Sequence, residues 1–458
     1  MSGKLKAGAA AMAVAVGVWG CSKSLEDAPD APDAAAPPTT AAPPMLADTP
    51  PVGRTVPEPV EPPMTGPPLM EPAAAPGSVA RSEIPAAEPR LPGGKEIVRV
   101  YYGTNRDRAE DADGQRNPDD FYGSDPGPLE FGVLEVSIPG RHEAGEIERP
   151  RWYTFEREDA AKHVVLQRVV PVDESLFLRE LRADVTRDAA REAFVFVHGF
   201  NVEFAEAAWR AGQMKADLEF GGPAVLYSWP SLGLPDPISY GRDQDRAADS
   251  RGALMRFLEA VAVRSGAERL HVIAHSMGNE LLVPALAALR EDPRLPRPLF
   301  DELILAAPDI DAAVFRDDIC EKLDRAAERT TVYAADHDAA LIASAAINRT
   351  LRLGMTRGIF ACDKDCEFLD LVDASPVRFR FFELGHSDYG GPLLEDVRAV
   401  LAGVPCGERS LEKYGRVPRG WTVVEAAATP AGGSVTAAPP PPAKAPTLWA
   451  RLTGWWPF

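Results

Sequence analysis

Histidine and cysteine are scarce in this sequence, with seven and five among 458 residues. An imidazole base or a zinc site therefore has few possible owners. Positive charge is also in deficit: 49 basic residues face 68 acidic ones, a formal charge of −19. Loss of the first 20 residues, with Lys4 and Lys6, would deepen it. A negative field of that size repels phosphate backbones and excludes nucleic acid as an expected partner. A long apolar run is missing at the N-terminus, where Ala7 to Trp19 is uncharged but too short. A bilayer core of about 30 Å takes about 20 residues.

That short run follows the basic start Lys4 and Lys6 and ends at Gly20-Cys21, the pattern of an export signal. A small residue directly before a cysteine resembles the lipobox of bacterial lipoproteins, in which the cysteine is acylated and becomes the new N-terminus. Trp19 departs from that pattern, which prefers a small residue there. Ser22 and Lys23, rather than Asp, follow Cys21, and by the same resemblance favour an outer-membrane anchor facing the periplasm of a Gram-negative cell. Of the 45 prolines, 26 lie in residues 22–93 or 425–458, where alanine is also abundant and apolar periodicity is lost. Such segments bury too little surface to offset their ordering entropy. The chain accordingly divides into a signal peptide over 1–20, a lipid-bearing tether over 21–93, one globular domain over 94–424 and a tail over 425–458 with an aromatic end.

Within the domain, β-branched apolar runs alternate with helical patterns. Strands are expected at 96–102, 132–138, 164–170, 193–198, 224–228, 270–274, 302–306, 330–334 and 377–383. Helices are expected near 173–185, 203–218, 240–264, 278–290, 338–349 and 391–403. In the third of these, Leu254, Phe257, Leu258 and Val261 follow the 3.6-residue period. Short apolar strands alternating with helices predict an α/β fold, a mostly parallel central sheet with helices on both faces. Beyond Cys21, Cys320, Cys362, Cys366 and Cys406 permit two disulfides in an oxidising compartment. A structural disulfide is the favoured reading over buried thiols, and the Cys362–Cys366 spacing is not that of a complete zinc site.

The chemistry is concentrated in Leu270-His-Val-Ile-Ala-His-Ser-Met-Gly-Asn279. An apolar strand runs into Ala274-His-Ser276-Met-Gly278, and Leu281, Leu282, Ala285, Leu286 and Leu289 continue helically, although Pro284 is expected to kink that helix. The segment resembles a nucleophile elbow with Ala274 in place of its first glycine; the strained turn needs small residues two before and two after the serine. A serine hydroxyl is a poor nucleophile unless a base takes its proton and a carboxylate orients the base. Of the seven histidines, His386 follows the last expected strand and preserves the order Ser, Asp, His; His337 is its rival. His271 reads as structural within its strand. The acid lies in one of two loops. Asp338, after the strand at 330–334, is favoured; Asp336, Asp309 and Asp311 remain open as acids or as helix caps.

Upstream, Ala193-Phe-Val-Phe-Val-His198-Gly199-Phe200-Asn201 is a buried strand opening into a turn. In this fold the oxyanion is held by the N–H after the nucleophile and one from this earlier loop, which assigns the N–H groups of Met277 and Phe200. His198 is expected to brace the loop. Trp229, Phe200 and Met277 read either as acyl-pocket lining or as packing, and Tyr102-Gly-Thr-Asn-Arg106 as structural more than as part of the site.

With these pieces, residues 97–404 resemble a bacterial lipase/esterase-like family of α/β hydrolases of largely unknown function. The matching segments are Val100–Arg106, His198–Asn201, Tyr227–Pro230, Ala274–Asn279, Leu305–Asp311, Tyr333–Leu341 and Gly385-His-Ser. The resemblance implies the fold and the triad, no cofactor or metal, and no particular substrate. The expected activity is hydrolysis of a small-molecule or lipid ester through an acyl-enzyme, at a membrane reached through the lipid anchor. The alternatives are an amidase or peptidase, or a non-catalytic envelope lipoprotein that uses the fold to bind.

Overall fold

The computed structural model describes residues 96–109, 117–150, 156–324, 326–336, 338–359, 368–376, 391–413 and 420–424. Cys21, Cys362, Cys366, the strand expected at 377–383, His337, His386, the tether and the tail lie outside the described residues.

Among these residues the strands are β1 (Glu96–Arg108), β2 (Tyr122–Ile138), β3 (Val165–Val172), β4 (Glu192–Val197), β5 (Ala224–Ser228), β6 (Arg269–His275), β7 (Phe300–Ala306), β8 (Ala327–Ala334), β9 (Leu369–Asp373), β10 (Leu411–Lys413) and β11 (Gly420–Val423). They form one sheet in the order β10-β11-β9-β8-β7-β6-β4-β5-β1-β2-β3. From β1 across to β11 every neighbouring pair is parallel. Antiparallel strands finish both edges. The helices are α1 (Glu174–Arg187), α2 (Phe204–Asp217), α3 (Pro237–Arg264), α4 (Gly278–Arg290), the short α5 (Ala312–Val314) and α6 (Cys320–Leu323), α7 (Ala339–Asn348), α8 (Thr356–Ile359) and α9 (Pro392–Leu401). No helix among the described residues is long and apolar enough to cross a membrane.

The apolar run of β4 shows why both faces are covered. Side chains alternate across a strand. Val195 and Val197 enter the core with Phe177, Phe257 and Leu281 from α1, α3 and α4. Phe194 and Phe196 enter the opposite core with Ala208 and Met214 of α2 and Val397 of α9. Caps set where these helices start. Asp173 accepts from the N–H of Leu176 at 2.8 Å, and Asp236 accepts from those of Ile238 and Ser239. With Pro237 in its first turn, α3 begins three residues before the expected start.

Several expectations change. β1 and β2 are longer than their apolar parts, extending through the polar Thr104–Arg108 and Tyr122–Glu130 with register shifts at Thr104/Arg106 and Arg106/Arg108. β9, β10 and β11 were not anticipated. β9 is masked in the sequence by Asp370 and Asp373, both buried; Arg409, itself buried, lies 3.9 Å from the Asp370 carboxylate and compensates it from β9's far side in sequence. α4 continues through Pro284 without interruption. The two-disulfide reading fails where it can be seen: Cys320 and Cys406 are buried thiols and are not bridged.

Candidate active site

β4 lies between β5 and β6, so the chain leaves it through α2 in one direction and returns through α3 to β6 in the other. In open α/β sheets, such a reversal opens a crevice at the carboxyl ends of the strands. Here β4 ends at Val197 and opens into His198-Gly199-Phe200, and β6 ends at His275 and delivers Ser276.

Ser276 has φ +51°, a left-handed conformation that costs a non-glycine residue about 1–2 kcal/mol. The surroundings hold it there. Its N–H donates to the Ala306 carbonyl at 3.0 Å, and its own carbonyl accepts from Asp309 N–H at 3.2 Å and Asn279 N–H at 3.0 Å. The buried Asn279 amide adds a donation to the same carbonyl at 3.0 Å and reaches Ala274 O at 3.3 Å. The turn is crowded from beneath. A Cβ at Gly278 would sit 2.4 Å from the His198 carbonyl oxygen, and one at Gly199 would sit 3.0 Å from the Ser276 Cβ. Ala274, the residue two before the serine, is fully buried. Small residues are therefore required where the chain has them.

Among the described residues, the N–H groups of Phe200 and Met277 have no protein acceptor. Those are the two donors assigned to the oxyanion. Phe200 packs edge-on against the Tyr240 ring at 5.3 Å. Met277 is buried in the core, as is Trp229. Trp229 is packing: its ring stacks on His198 with centroids 5.2 Å apart, and its indole N–H donates to the His198 carbonyl at 2.8 Å.

Residues 174–392 match a family model described as "Alpha/beta hydrolase of unknown function (DUF900)". The fold is that of an α/β hydrolase. No curated protein matches the sequence. A solved chain from a structural and mechanistic analysis of two prolyl endopeptidases is 11% identical, with a TM-score of 0.24. The match covers 62% of this chain and 35% of that one, so the chain spans about a third of that structure's length; the likeness carries no argument.

Within this hydrolase fold three of the described histidines contact other groups and two are buried along β6. His142 contacts Glu148 at 2.9 Å and Asp217 at 2.7 Å. His163 accepts from the N–H of Asp159. His198 lies with Nε2 3.2 Å from Ser228 Oγ, and burial beside Arg106 lowers its pKa to about 3, so it stays neutral. His271 and His275 are buried along β6, and burial takes His275 to about 3 as well. The two candidate bases, His386 and His337, both lie outside the described residues.

The four candidate acids have different surroundings. Asp309 is fully engaged: Arg352 Nε donates to it at 2.6 Å, Ser344 Oγ at 2.5 Å and Tyr240 Oη at 2.8 Å. Asp311 caps α5 through the N–H groups of Ala313 and Val314. Asp336 is exposed and accepts from Thr356 N–H at 3.2 Å. Asp338 is buried just after β8 and caps α7, with Oδ1 accepting from Ala340 and Leu341. The cap of α7 thus falls on the favoured acid itself and not on Asp336. Sequence reasoning missed three neighbours of the site. They are the Asn279 amide, the Arg352–Asp309 pair with Glu280, and the contacts of Arg106. Burial of Glu280 beside Asp309 raises its pKa to about 7.

Proposed function

We propose that this α/β hydrolase is a serine esterase that cleaves carboxylic esters through an acyl-enzyme. Ser276 Oγ attacks the ester carbonyl carbon while His386 takes its proton, and Asp338 holds the imidazole. The carbonyl oxygen, now an oxyanion, accepts from the N–H groups of Phe200 and Met277. Collapse of the tetrahedral intermediate breaks the bond to the alcohol, which leaves with the proton from His386. A water molecule, deprotonated by the same imidazole, repeats the attack on the acyl-enzyme and releases the acid.

The observation that carries this reading is the left-handed Ser276 between β6 and α4, together with the N–H groups of Phe200 and Met277, which have no protein acceptor among the described residues. Strain of that kind is kept only where the surroundings enforce it, and it clusters at functional sites. Asp338 is preferred to Asp309 because the Asp309 carboxylate already serves Arg352, Ser344 and Tyr240. The reading includes a location: a lipid on Cys21 and the 21–93 tether hold the domain at the outer membrane on its periplasmic side, where lipid and small-molecule esters are met.

Treatment with a fluorophosphonate probe tests the activity. Wild-type protein is expected to be labelled, Ser276→Ala and His386→Ala are not, and a chain-length series of aryl esters reads the acyl preference. An unlabelled wild type without turnover would replace the esterase with a binding protein. Turnover of anilides in preference to esters would make it an amidase. Mass analysis should find acyl chains on Cys21, and Cys21→Ser should release soluble protein.

A further inference from the structure

Arg106 is an unusual place for a charge. It is 1% exposed, in the irregular part of β1, and no carboxylate among the described residues makes an ion pair with it. A buried unpaired cation is costly unless other groups replace its water. Four oxygens do so. Nε donates to Ser228 Oγ at 2.9 Å, Nη1 to the carbonyls of Ser231 at 3.0 Å and Gly123 at 3.2 Å, and Nη2 to the Val202 carbonyl at 2.8 Å. Nη2 also lies 3.5 Å from His198 Nε2.

Apart from Gly123 at the start of β2, these partners belong to two segments at the ends of neighbouring strands, 198–202 after β4 and 228–231 at the end of β5. A second buried charge grips the same two segments from α3. Asp243 accepts from Ser231 Oγ at 2.6 Å and from Leu232 N–H at 2.9 Å. Asn201, between Phe200 and Val202, is held at φ +60°. Ser231 Oγ in turn accepts from Val202 N–H at 3.2 Å. The residue between His198-Gly199 and Asn201-Val202 is Phe200. Both flanks of Phe200 are therefore tied to a buried ion, and its own N–H has no acceptor among the described residues.

We propose that Arg106 and Asp243 are positioning residues that clamp the 198–202 loop and fix the direction of the Phe200 N–H for the oxyanion. This rests on the esterase reading of the site and adds residues that touch neither substrate nor Ser276. The clamp explains why Arg106 is an arginine. One planar fork reaches oxygens on three segments at once, which a lysine ammonium on a single stem does not.

The test uses the full chain and kcat expressed per site titrated by fluorophosphonate, so that misfolded molecules drop out. In Arg106→Lys and Asp243→Asn, kcat per titrated site should fall on the order of 10²-fold, the effect of an oxyanion donor displaced or lost. KM should stay within about twofold, because the loop acts on the transition state more than on the bound ester. Affinity for a trifluoromethyl ketone transition-state analogue should fall in step with kcat/KM. A merely structural role would lower the titrated fraction and leave kcat per site and analogue affinity unchanged, which would overturn the proposal. Ser231→Ala removes one hydroxyl from the clamp without stranding a buried charge, and serves if both charge variants fail to fold. A fall of about threefold or more in kcat per site supports the clamp, and an unchanged value overturns it. An unlabelled wild type would remove the esterase reading and the clamp with it, whereas a labelled wild type with indifferent variants removes the clamp alone.

Discussion

Gly278 lies beneath His198 so closely that the missing Cβ would meet the His198 carbonyl oxygen at 2.4 Å and the Val197 carbonyl oxygen at 2.9 Å. Both obstacles are backbone, so neither can rotate aside. The elbow and the oxyanion loop are thus packed against each other through a residue with no side chain. Gly278→Ala should push the two loops apart and lower fluorophosphonate labelling by more than about 10²-fold, the scale of a reacting atom misplaced by 1 Å. Gly252, in the exposed part of α3, has nothing within 4 Å of its Cβ position. Gly252→Ala should keep full labelling and gain about 0.5–1 kcal/mol in urea denaturation.

The two aspartates near the site should separate by what they lose. Asp309→Asn removes the carboxylate 2.6 Å from Arg352 Nε and leaves the buried guanidinium with the partly buried Glu280 in its place, so it should destabilise the fold by about 3 kcal/mol. Asp338→Asn keeps a side-chain oxygen to cap α7 and should cost little stability. On the proposed reading it removes the charge that orients the imidazole, and kcat should fall by about 10⁴-fold. Denaturation and ester turnover on both variants check this. A fully active Asp338→Asn would return the choice of acid to its neighbours.

How much of this was legible depended on range. The elbow could be read because its demands are local: an apolar strand, a serine flanked by Ala274 and Gly278, and a helix with period 3.6. The parallel sheet followed from β-branched runs such as Val195 to Val197. β9 could not be read, because Asp370 and Asp373 interrupt the apolar pattern; Asp370 lies 3.9 Å from Arg409, more than thirty positions away, and Asp373 accepts from the Ser375 N–H. The role of Asp309 was hidden for the same reason, since Arg352 lies 43 positions later. Arg106 stood in a motif visible in the sequence, but its oxygens come from Gly123, Val202, Ser228 and Ser231, which only the fold brings together. The disulfide expectation failed for Cys320 and Cys406 because an even count of cysteines carries no geometry.

His142 gives the stability a pH dependence of its own. It bridges Glu148 and Asp217, and hydrogen bonds to these two carboxylates outweigh its burial and raise its pKa from 6.5 to about 9. A raised pKa means the folded state binds the proton more tightly. The contribution is therefore complete below pH 6.5 and is lost as pH rises from there through about 9. The loss should be on the order of 2 kcal/mol, after allowance for partial exposure. Urea midpoints measured at pH 6 and pH 9.5 should show it, and His142→Gln should flatten that difference.

The strain at Ser276 can be isolated from its chemistry. Ser276→Ala and Ser276→Gly both delete the hydroxyl, and both should abolish labelling. They differ in the backbone. Alanine keeps a Cβ at φ +51°, whereas glycine adopts that conformation freely. Glycine also raises the entropy of the unfolded chain, which returns part of the gain. On balance Ser276→Gly should be more stable than Ser276→Ala by about 1 kcal/mol, the net of a left-handed penalty and the glycine entropy. The prediction turns on the difference between two dead variants, so it is independent of which base or acid completes the site. Equal urea midpoints for the two would mean that the surrounding hydrogen bonds from Ala306, Asp309 and Asn279 hold the turn without strain. The left-handed serine would then be no sign of a site that had to be enforced.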